Sequence, residues 1–110
     1  MVNIKRFDVF FVNLDPTVGS EIKKTRPAVI ISPDSMNLSR LKTVIIAPMT
    51  STIKDNFPTR VMTVFKNKKG QIALDQLRSI DRCRIVQKLG VIEKEAQNDV
   101  LKILAILFQK

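Results

Sequence analysis

Short apolar runs separated by turn residues occupy most of the chain and predict a protein built mainly of strands. Residues 7–14 are β-branched and aromatic, which predicts the first strand. A second strand is predicted over Ala28–Ser32, opened by Pro27, because proline is tolerated at the first position of a strand. Continuous apolar residues predict a third strand over Thr43–Ala47, which Pro48 should stop.

The middle of the chain predicts one helical turn and a hairpin. Residues 34–40 suit a short helical turn. Thr59–Phe65 and Gln71–Leu74 are predicted to pair as a hairpin, and the turn between them, residues 67–70, ends in Gly70. Because glycine adopts the left-handed conformation easily, Gly70 is expected to supply that position of a bulged turn.

The hydrophobic spacing changes at Glu93, after which apolar residues recur every three or four positions and predict a C-terminal helix. Ile92 stands where a capping Ser or Asp would be preferred. The helix carries two apolar stripes, formed by Ala96, Val100, Ile103, Leu104 and Leu107 and by Leu101, Ala105 and Phe108. So wide an apolar surface either covers a sheet alone or also contacts another subunit.

The order of strands first and a helix last indicates a mainly β fold with some α. We expect a small, strongly bent antiparallel sheet or partial barrel, closed by the terminal helix, in one domain over residues 1–110. No apolar run approaches the ~20 residues that span a bilayer, and the first residues lack the apolar stretch of a secretion signal. These features predict a cytoplasmic protein with no membrane partner.

The composition excludes several kinds of chemistry. The chain has no histidine, so it offers neither an imidazole base nor a histidine metal ligand. Its one cysteine, Cys83, cannot form a disulfide within the chain, and its three glycines cannot build a phosphate-binding loop. We therefore expect neither a cofactor nor a metal site.

Charge is the strongest positive signal in the composition. Nineteen basic and ten acidic side chains give a net charge of +9, and residues 41–90 hold ten of the basic and three of the acidic ones. Such an excess either keeps the surface soluble or forms a face that binds a polyanion. Its concentration in the middle of the chain favours the second interpretation.

Three polar stretches at the ends of predicted strands could carry chemistry. In the first, the long loop of residues 15–26 holds Gly19–Ser20–Glu21 and leads to Arg26, which Pro27 keeps in an extended conformation. The other two stretches are Thr50–Ser51 and Asp75–Gln76–Leu77–Arg78. Composition alone does not place these three stretches in one site.

The same stretches resemble the MazF/PemK family, the toxins of bacterial type II toxin–antitoxin pairs. The similarity lies in the run VNLDPTVGSE followed by TRPAVII, in IAPMTS, and in LDQLRSID, which begin at residues 12, 25, 46 and 74. These runs occur in order and at family-like spacing over nearly the whole chain.

The resemblance implies a small SH3-like antiparallel barrel with short helices and a C-terminal helix. It implies a homodimer and a sequence-specific endoribonuclease that cuts single-stranded RNA without a metal ion, leaving 2′,3′-cyclic phosphate and 5′-hydroxyl ends. The protein partner would be an acidic antitoxin. The alternative is a non-catalytic toxin of the same fold that binds a protein target such as DNA gyrase.

By the same resemblance the active site maps onto Arg26 and Thr50. The planar fork of arginine matches phosphate oxygens, and a threonine hydroxyl can bind a non-bridging oxygen or orient the 2′-hydroxyl nucleophile. The possible supporting residues are Glu21, Ser51, Asp75 and Gln76. The expected RNA-binding residues are Lys23, Lys24, Lys54 and Arg78.

Two places depart from the family pattern. The loop where relatives often have Gln and Gly is occupied here by Ile22, Lys23 and Lys24, which makes it more basic. An arginine that plasmid-type members carry two residues before the Asp-Gln pair is Ala73 here, which favours an Arg26–Thr50 mechanism over an Asp–Arg one. Glu21 and Asp75 are the candidate bases, although Asp75 could equally bond turn amides.

Overall fold

The computed structural model describes residues 3–110, which form a curled antiparallel sheet, two helices and two 3-10 turns. The strands are β1 Asp8–Asn13, β2 Thr25–Ile30, β3 Thr43–Thr50, β4 Arg60–Phe65, β5 Lys68–Ala73, β6 Arg78–Asp81 and β7 Ile85–Val91. The helices are α1 Asp34–Asn37 and α2 Lys94–Leu107, and the 3-10 turns are Leu74–Gln76 and Arg82–Arg84. This architecture confirms the predicted bent sheet and terminal helix. The first two residues of the segment from which we expected no secretion signal lie outside the described part.

β3 is the corner at which the sheet folds over. The strand order is β4–β5–β3–β2–β1–β7, and β6 pairs with β3 outside this path. The first half of β3, residues 43–46, pairs with β6, whereas Met49 and Thr50 pair with β5. On its other edge β3 pairs with β2, where Ala28 stands opposite Pro48. β3 therefore belongs to both parts of the curled sheet, and Thr50 lies where the two parts meet.

The apolar runs of β1, β2 and β3 are buried on both faces of the sheet. Successive strand residues point to opposite faces, so Val9 belongs to one hydrophobic cluster and Phe10 to another. The first cluster lies under α2 and includes Val29, Ala47, Ile72, Ala96 and Val100. The second includes Val12, Ile30, Val44, Ile46 and Ile80. This burial on two sides explains why the apolar runs of β2 and β3 are continuous rather than alternating.

Two prolines lie inside strands, contrary to the sequence-based expectation. β3 continues through Pro48 to Thr50, and β2 begins at Thr25, two residues before Pro27. Pro48 falls between the part of β3 that pairs with β6 and the part that pairs with β5. Pro27 pairs with Phe11 of β1, one residue before β2 reaches its other partner, β3. A missing N–H is tolerated at such gaps in the ladder, so neither proline limits its strand.

The β4–β5 hairpin turns earlier than predicted. Its two-residue turn is Lys66–Asn67, and both residues have positive φ, at 51° and 64°. Asparagine adopts this conformation fairly often, but lysine rarely does, so the sequence contains only a weak signal for a turn here. Gly70, predicted as the left-handed residue of the turn, lies inside β5 instead. The shift moves three residues, 68–70, from a turn into a strand.

α2 confirms the helical spacing and covers the first core cluster with Ala96 and Val100. Its N-cap is Glu93 rather than Ile92, which is buried, and no side chain caps the helix. The second stripe is uncovered, since Leu101 and Phe108 are 43% and 74% exposed and Ala105 is exposed as well. Leu107, at the end of the first stripe, is 40% exposed. The helix therefore covers the sheet and still leaves an apolar surface facing outward.

Candidate active site

A shallow cavity opens at the end of β3, where residues from β2, β3, β4 and β5 meet, and we call it the Arg26 basin. It has a volume of about 180 Å³ and is lined by Arg26, Pro27, Met49, Thr50, Ser51, Phe65, Lys68, Lys69 and Gly70. Three of the lining residues are cationic, two carry hydroxyl groups and none is acidic. The fold therefore brings Arg26 and Thr50 together in surroundings that favour an anionic ligand.

Arg26 reaches the basin from the second position of β2, where it pairs with Val12 of β1. Its Nε donates a hydrogen bond of 2.7 Å to the carbonyl oxygen of Lys23, in the β1–β2 loop (residues 14–24). This bond fixes the plane of the guanidinium group, and within residues 3–110 the two terminal nitrogens make no hydrogen bond. Two N–H groups in one plane match two oxygens of a phosphate.

Thr50 ends β3 and is only 9% exposed. Its Oγ1 accepts a hydrogen bond of 3.1 Å from the N–H of Thr52, so the turn sets the position of the oxygen while the hydroxyl can still donate its proton. Gly70 of β5 lies against the carbonyl group of Thr50, and a Cβ atom at position 70 would stand 2.7 Å from that oxygen. β5 can approach Thr50 this closely because residue 70 has no side chain. Ser51 lines the basin beside Thr50.

A second cavity, which we call the Asp75 basin, holds four more of the predicted residues. Its volume is about 190 Å³, and its lining is Glu21, Ile22, Pro48, Asp75, Gln76, Leu77 and Arg78. Pro48 of β3 lines this cavity, whereas the next residue, Met49, lines the Arg26 basin. Glu21 accepts a hydrogen bond of 2.6 Å from the N–H of Val18. Both candidate carboxylates therefore line a cavity separate from the Arg26 basin.

Asp75 is paired with an arginine from the neighbouring strand. Arg60 stands opposite Ala73 in the β4–β5 ladder, and its Nε and Nη2 donate to the two carboxylate oxygens of Asp75 at 2.7 and 3.2 Å. Thr59 Oγ1 donates to the same carboxylate at 3.1 Å. Burial acts to raise the pKa of Asp75, but the hydrogen bonds and the charge of Arg60 outweigh it and hold that pKa below its ordinary value. An arginine on the strand opposite Ala73 therefore binds Asp75.

Gln76 and Arg78 hold the β1–β2 loop. Gln76 Oε1 accepts the N–H of Ile22 at 2.7 Å, and its Nε2 donates to the carbonyl oxygen of Ser20 at 3.4 Å. Arg78 Nη1 donates to the carbonyl oxygen of Leu14 at 3.0 Å. Both side chains therefore bond the main chain of the loop that leads to Arg26.

The predicted RNA-binding lysines lie outside the lining of the Arg26 basin. They are exposed loop residues, namely Lys23, Lys24 and Lys54. Lys68 and Lys69 do line the basin, and sequence reasoning did not single them out. The excess of positive charge in the middle of the chain was the sequence feature that pointed to these two lysines. Because the hairpin turn was predicted at residues 67–70, they were expected in a turn and not on the strand that lines the basin.

Within the described part of the chain, no group of three histidine, cysteine or acidic side chains is arranged to hold a metal ion. Among residues 3–110 there is also no helix long and apolar enough to cross a membrane. The longer of the two helices, α2, has 14 residues.

Comparison with known proteins finds relatives over almost the whole chain. The sequence model of a family described as PemK-like, MazF-like toxin of type II toxin-antitoxin system matches residues 5–108. Endoribonuclease EndoA of Bacillus subtilis (strain 168) is 35% identical over 108 residues, which cover 94% of this chain and 92% of that protein.

Solved structures share the fold. MazF from Deinococcus radiodurans gives a TM-score of 0.84 at 23% identity, with 100% of both chains covered. An endoribonuclease in complex with its cognate antitoxin, from a mycobacterial species, gives 0.76 at 19% identity, with 94% of this chain and 92% of that chain covered. At these identities the likeness establishes the architecture of the chain.

Proposed function

Because the chain belongs to the PemK-like, MazF-like toxins of type II toxin–antitoxin systems, we propose that it is an endoribonuclease that cleaves single-stranded RNA at a short sequence without a metal ion. The observation that carries this proposal is the Arg26 basin, where Arg26 and Thr50 meet beside Lys68 and Lys69. These groups suit a phosphodiester because the reacting phosphate gains negative charge. The relative from Bacillus subtilis is itself named an endoribonuclease. With single-stranded RNA as its substrate, the protein is proposed to act in the cytoplasm.

RNA supplies its own nucleophile, the 2′-hydroxyl group next to the scissile phosphate. The enzyme has to align this oxygen with the leaving 5′-oxygen and to stabilise the charge of the phosphorane. In the proposed mechanism the terminal nitrogens of Arg26 bind two non-bridging oxygens, and the Thr50 hydroxyl donates to one of them or orients the 2′-hydroxyl. The 2′-hydroxyl gives its proton to water and its oxygen bonds to phosphorus as the bond to the 5′-oxygen breaks, and the leaving oxygen takes a proton from water. The products are a 2′,3′-cyclic phosphate and, after protonation of the leaving oxygen, a 5′-hydroxyl.

The apolar part of the Arg26 basin suits a nucleobase next to that phosphate. Pro27, Met49 and Phe65 line the basin together with the cationic residues. Stacking of a base on an aromatic side chain contributes about 1–3 kcal/mol and tolerates any base, so additional contacts are needed for selectivity. A phosphate on Arg26 and a base against Phe65 would together fix the register of the RNA.

The remaining predicted residues have supporting roles in this proposal. Ser51 lies in the basin beside Thr50, and Lys23, Lys24 and Lys54 extend the positive charge beyond it for flanking phosphates. The residues of the Asp75 basin keep the β1–β2 loop and its surroundings in place through the contacts of Glu21, Asp75, Gln76 and Arg78.

We also propose that the protein is a homodimer silenced by an acidic antitoxin. The uncovered face of α2 adjoins a mostly apolar groove of about 480 Å³, lined in part by Ile31, Ile45, Leu77, Leu104 and Phe108. A second copy would remove this apolar surface from water, and light scattering at micromolar concentration should give the dimer mass. The exposed cations around the Arg26 basin suit an acidic, extended peptide that folds on contact.

Incubation of the purified protein with a mixed RNA in excess EDTA tests the proposed activity. We expect cleavage products with 5′-hydroxyl ends that map to one short sequence motif. Cleavage that occurs only after Mg²⁺ is added would overturn the metal-independent mechanism. If RNA stays intact under both conditions while the protein binds DNA gyrase, the chain is a non-catalytic toxin instead.

A further inference from the structure

Gln71 is a buried polar residue that belongs to none of the sequence motifs and takes no part in the mechanism above. It lies in β5, is 3% exposed and stands opposite Thr50 in the β3–β5 ladder. Its Oε1 accepts the N–H of Lys54 at 3.0 Å, and its Nε2 donates to the carbonyl oxygen of Lys54 at 3.4 Å. The same nitrogen contacts the sulfur of Met62 at 3.3 Å. One buried amide therefore satisfies both main-chain groups of a single residue in the loop that follows β3.

The turn from Thr50 to Lys54 is held by β5 at both of its ends. At the start, Gly70 lets the β5 backbone lie against the carbonyl group of Thr50. At the far end, Gln71 holds the main chain of Lys54. Between these points the N–H of Thr52 bonds Thr50 Oγ1, while the side chains of the turn are exposed. The position of the Thr50 hydroxyl thus depends on the shape of a turn whose far end Gln71 fixes.

We propose that Gln71 is a positioning residue for RNA cleavage, which fixes the Thr50–Lys54 turn so that the Thr50 hydroxyl is presented to the Arg26 basin. This inference rests on the proposed ribonuclease function. Without the Gln71 amide the main chain of Lys54 is released, the turn relaxes, and Thr50 Oγ1 loses its bond from Thr52. A displacement of about 1 Å at a reacting centre can cost about 100-fold in rate, so the effect should appear in kcat rather than in RNA binding.

A double-mutant cycle between Gln71→Met and Thr50→Ala tests the proposal. Methionine fills a similar volume and makes neither hydrogen bond to Lys54. We expect Gln71→Met to lower kcat about tenfold when Thr50 is present and less than about twofold when it is alanine, with KM nearly unchanged. An equal loss in both backgrounds, a loss confined to KM, or no loss would overturn the proposal, because a general weakening of the fold does not depend on the Thr50 hydroxyl.

Amide hydrogen exchange tests the same coupling without RNA. Gln71→Met should speed exchange at the N–H of Lys54 and also at the N–H of Thr52. Faster exchange at Lys54 alone would contradict the idea that Gln71 acts on Thr50 through the turn. The two measurements separate the inference from the proposed function. A wild-type protein that leaves RNA intact refutes the ribonuclease, whereas the exchange pattern still decides what Gln71 holds.

Gln97→Met is the matched control for Gln71→Met. Gln97 lies in α2, where its Nε2 donates one hydrogen bond of 2.9 Å to the carbonyl oxygen of Ile92. We expect this variant to lower Tm while kcat stays within about twofold of the wild type. A loss of kcat as large as that of Gln71→Met would count against the proposal. If Gln71→Met does not fold, Gln71→Ala takes its place in the same cycle, since the smaller side chain introduces no steric strain.

Discussion

The two basins along β3 both contain charged side chains, but these differ in sign and in whether they already have partners. In the Arg26 basin, Arg26, Lys68 and Lys69 line the cavity together with no acidic residue. In the Asp75 basin, the carboxylate of Asp75 is bound by Arg60, and that of Glu21 accepts a main-chain N–H. A charged side chain can bind a ligand only if the fold has not already given it a partner. A charged side chain that already has a partner holds the loops in place instead.

Arg26→Ala tests the first half of this comparison and should have the largest effect. We expect kcat to fall roughly 10²–10³-fold, or about 3–4 kcal/mol, because the guanidinium group stabilises the charge that develops on the phosphorane. Single-turnover cleavage of a short RNA measures the change. Arg40→Ala, at an exposed arginine between α1 and β3, is the matched control and should stay within about twofold. A loss below about tenfold for Arg26→Ala would reduce Arg26 to a binding residue.

The salt dependence of RNA binding tests whether the cations of the Arg26 basin meet phosphates. If about four phosphates are neutralised, raising the salt from about 50 to about 200 mM should weaken binding of a single strand about 50-fold. Removal of one such contact by Lys69→Ala should reduce the log–log slope by about 0.7. Fluorescence anisotropy with a short RNA gives both values. A flat response would point to a protein target instead.

Asp75→Asn tests the second half of the comparison and should have the smallest effect. The pKa of Asp75 is lower in the folded chain than its ordinary value of 3.8, so its ion pair stabilises the fold above that value. This contribution is lost as the pH falls through the lower, folded-state pKa. Because the Asp75 side chain is 31% exposed, screening by solvent limits the effect to less than about 1 kcal/mol.

Thermal unfolding over a range of pH measures that contribution. We expect the wild type to have the higher Tm at about pH 7, and the difference from Asp75→Asn to shrink toward zero as the pH falls below 3.8 and through the lower, folded-state pKa of Asp75. A difference that stays constant with pH would mean that the pair with Arg60 contributes through shape and not through charge.

Hydrophobic pattern predicted β1 to β5 and α2 but not β6 and β7, and the ends of the predicted strands depend on their neighbours. Whether Pro48 ends β3 is decided by which residues stand beside it, and the break between β6 and β5 at that point arises from the folded sheet. The same holds for Pro27. A proline signals a strand boundary only where its missing N–H would have been needed.

The residues of the candidate site that belong to a sequence motif were predictable. The residues that reach the site through pairing between neighbouring strands were not. Arg26 and Thr50 follow from local sequence, and the fold brings them into one basin. Arg60 and Gln71 act through the register of β4 and β5, which the Lys66–Asn67 turn sets. Because that turn has positive φ at a lysine, sequence reasoning displaced it and missed the partners that the register creates.

The pairing of β1 with β7 has a consequence for the time at which the protein is made. Asp8 pairs with Val91 and Val12 with Ile85. β1 is therefore synthesised well before β7, its partner on this edge. At about 5–20 residues per second, roughly 4 to 15 s separate the appearance of these two strands at the ribosome. Until then β1 has an open edge, and contacts between such distant residues form slowly. The β1–β7 edge of the sheet therefore forms only after residues 85–91 have been synthesised.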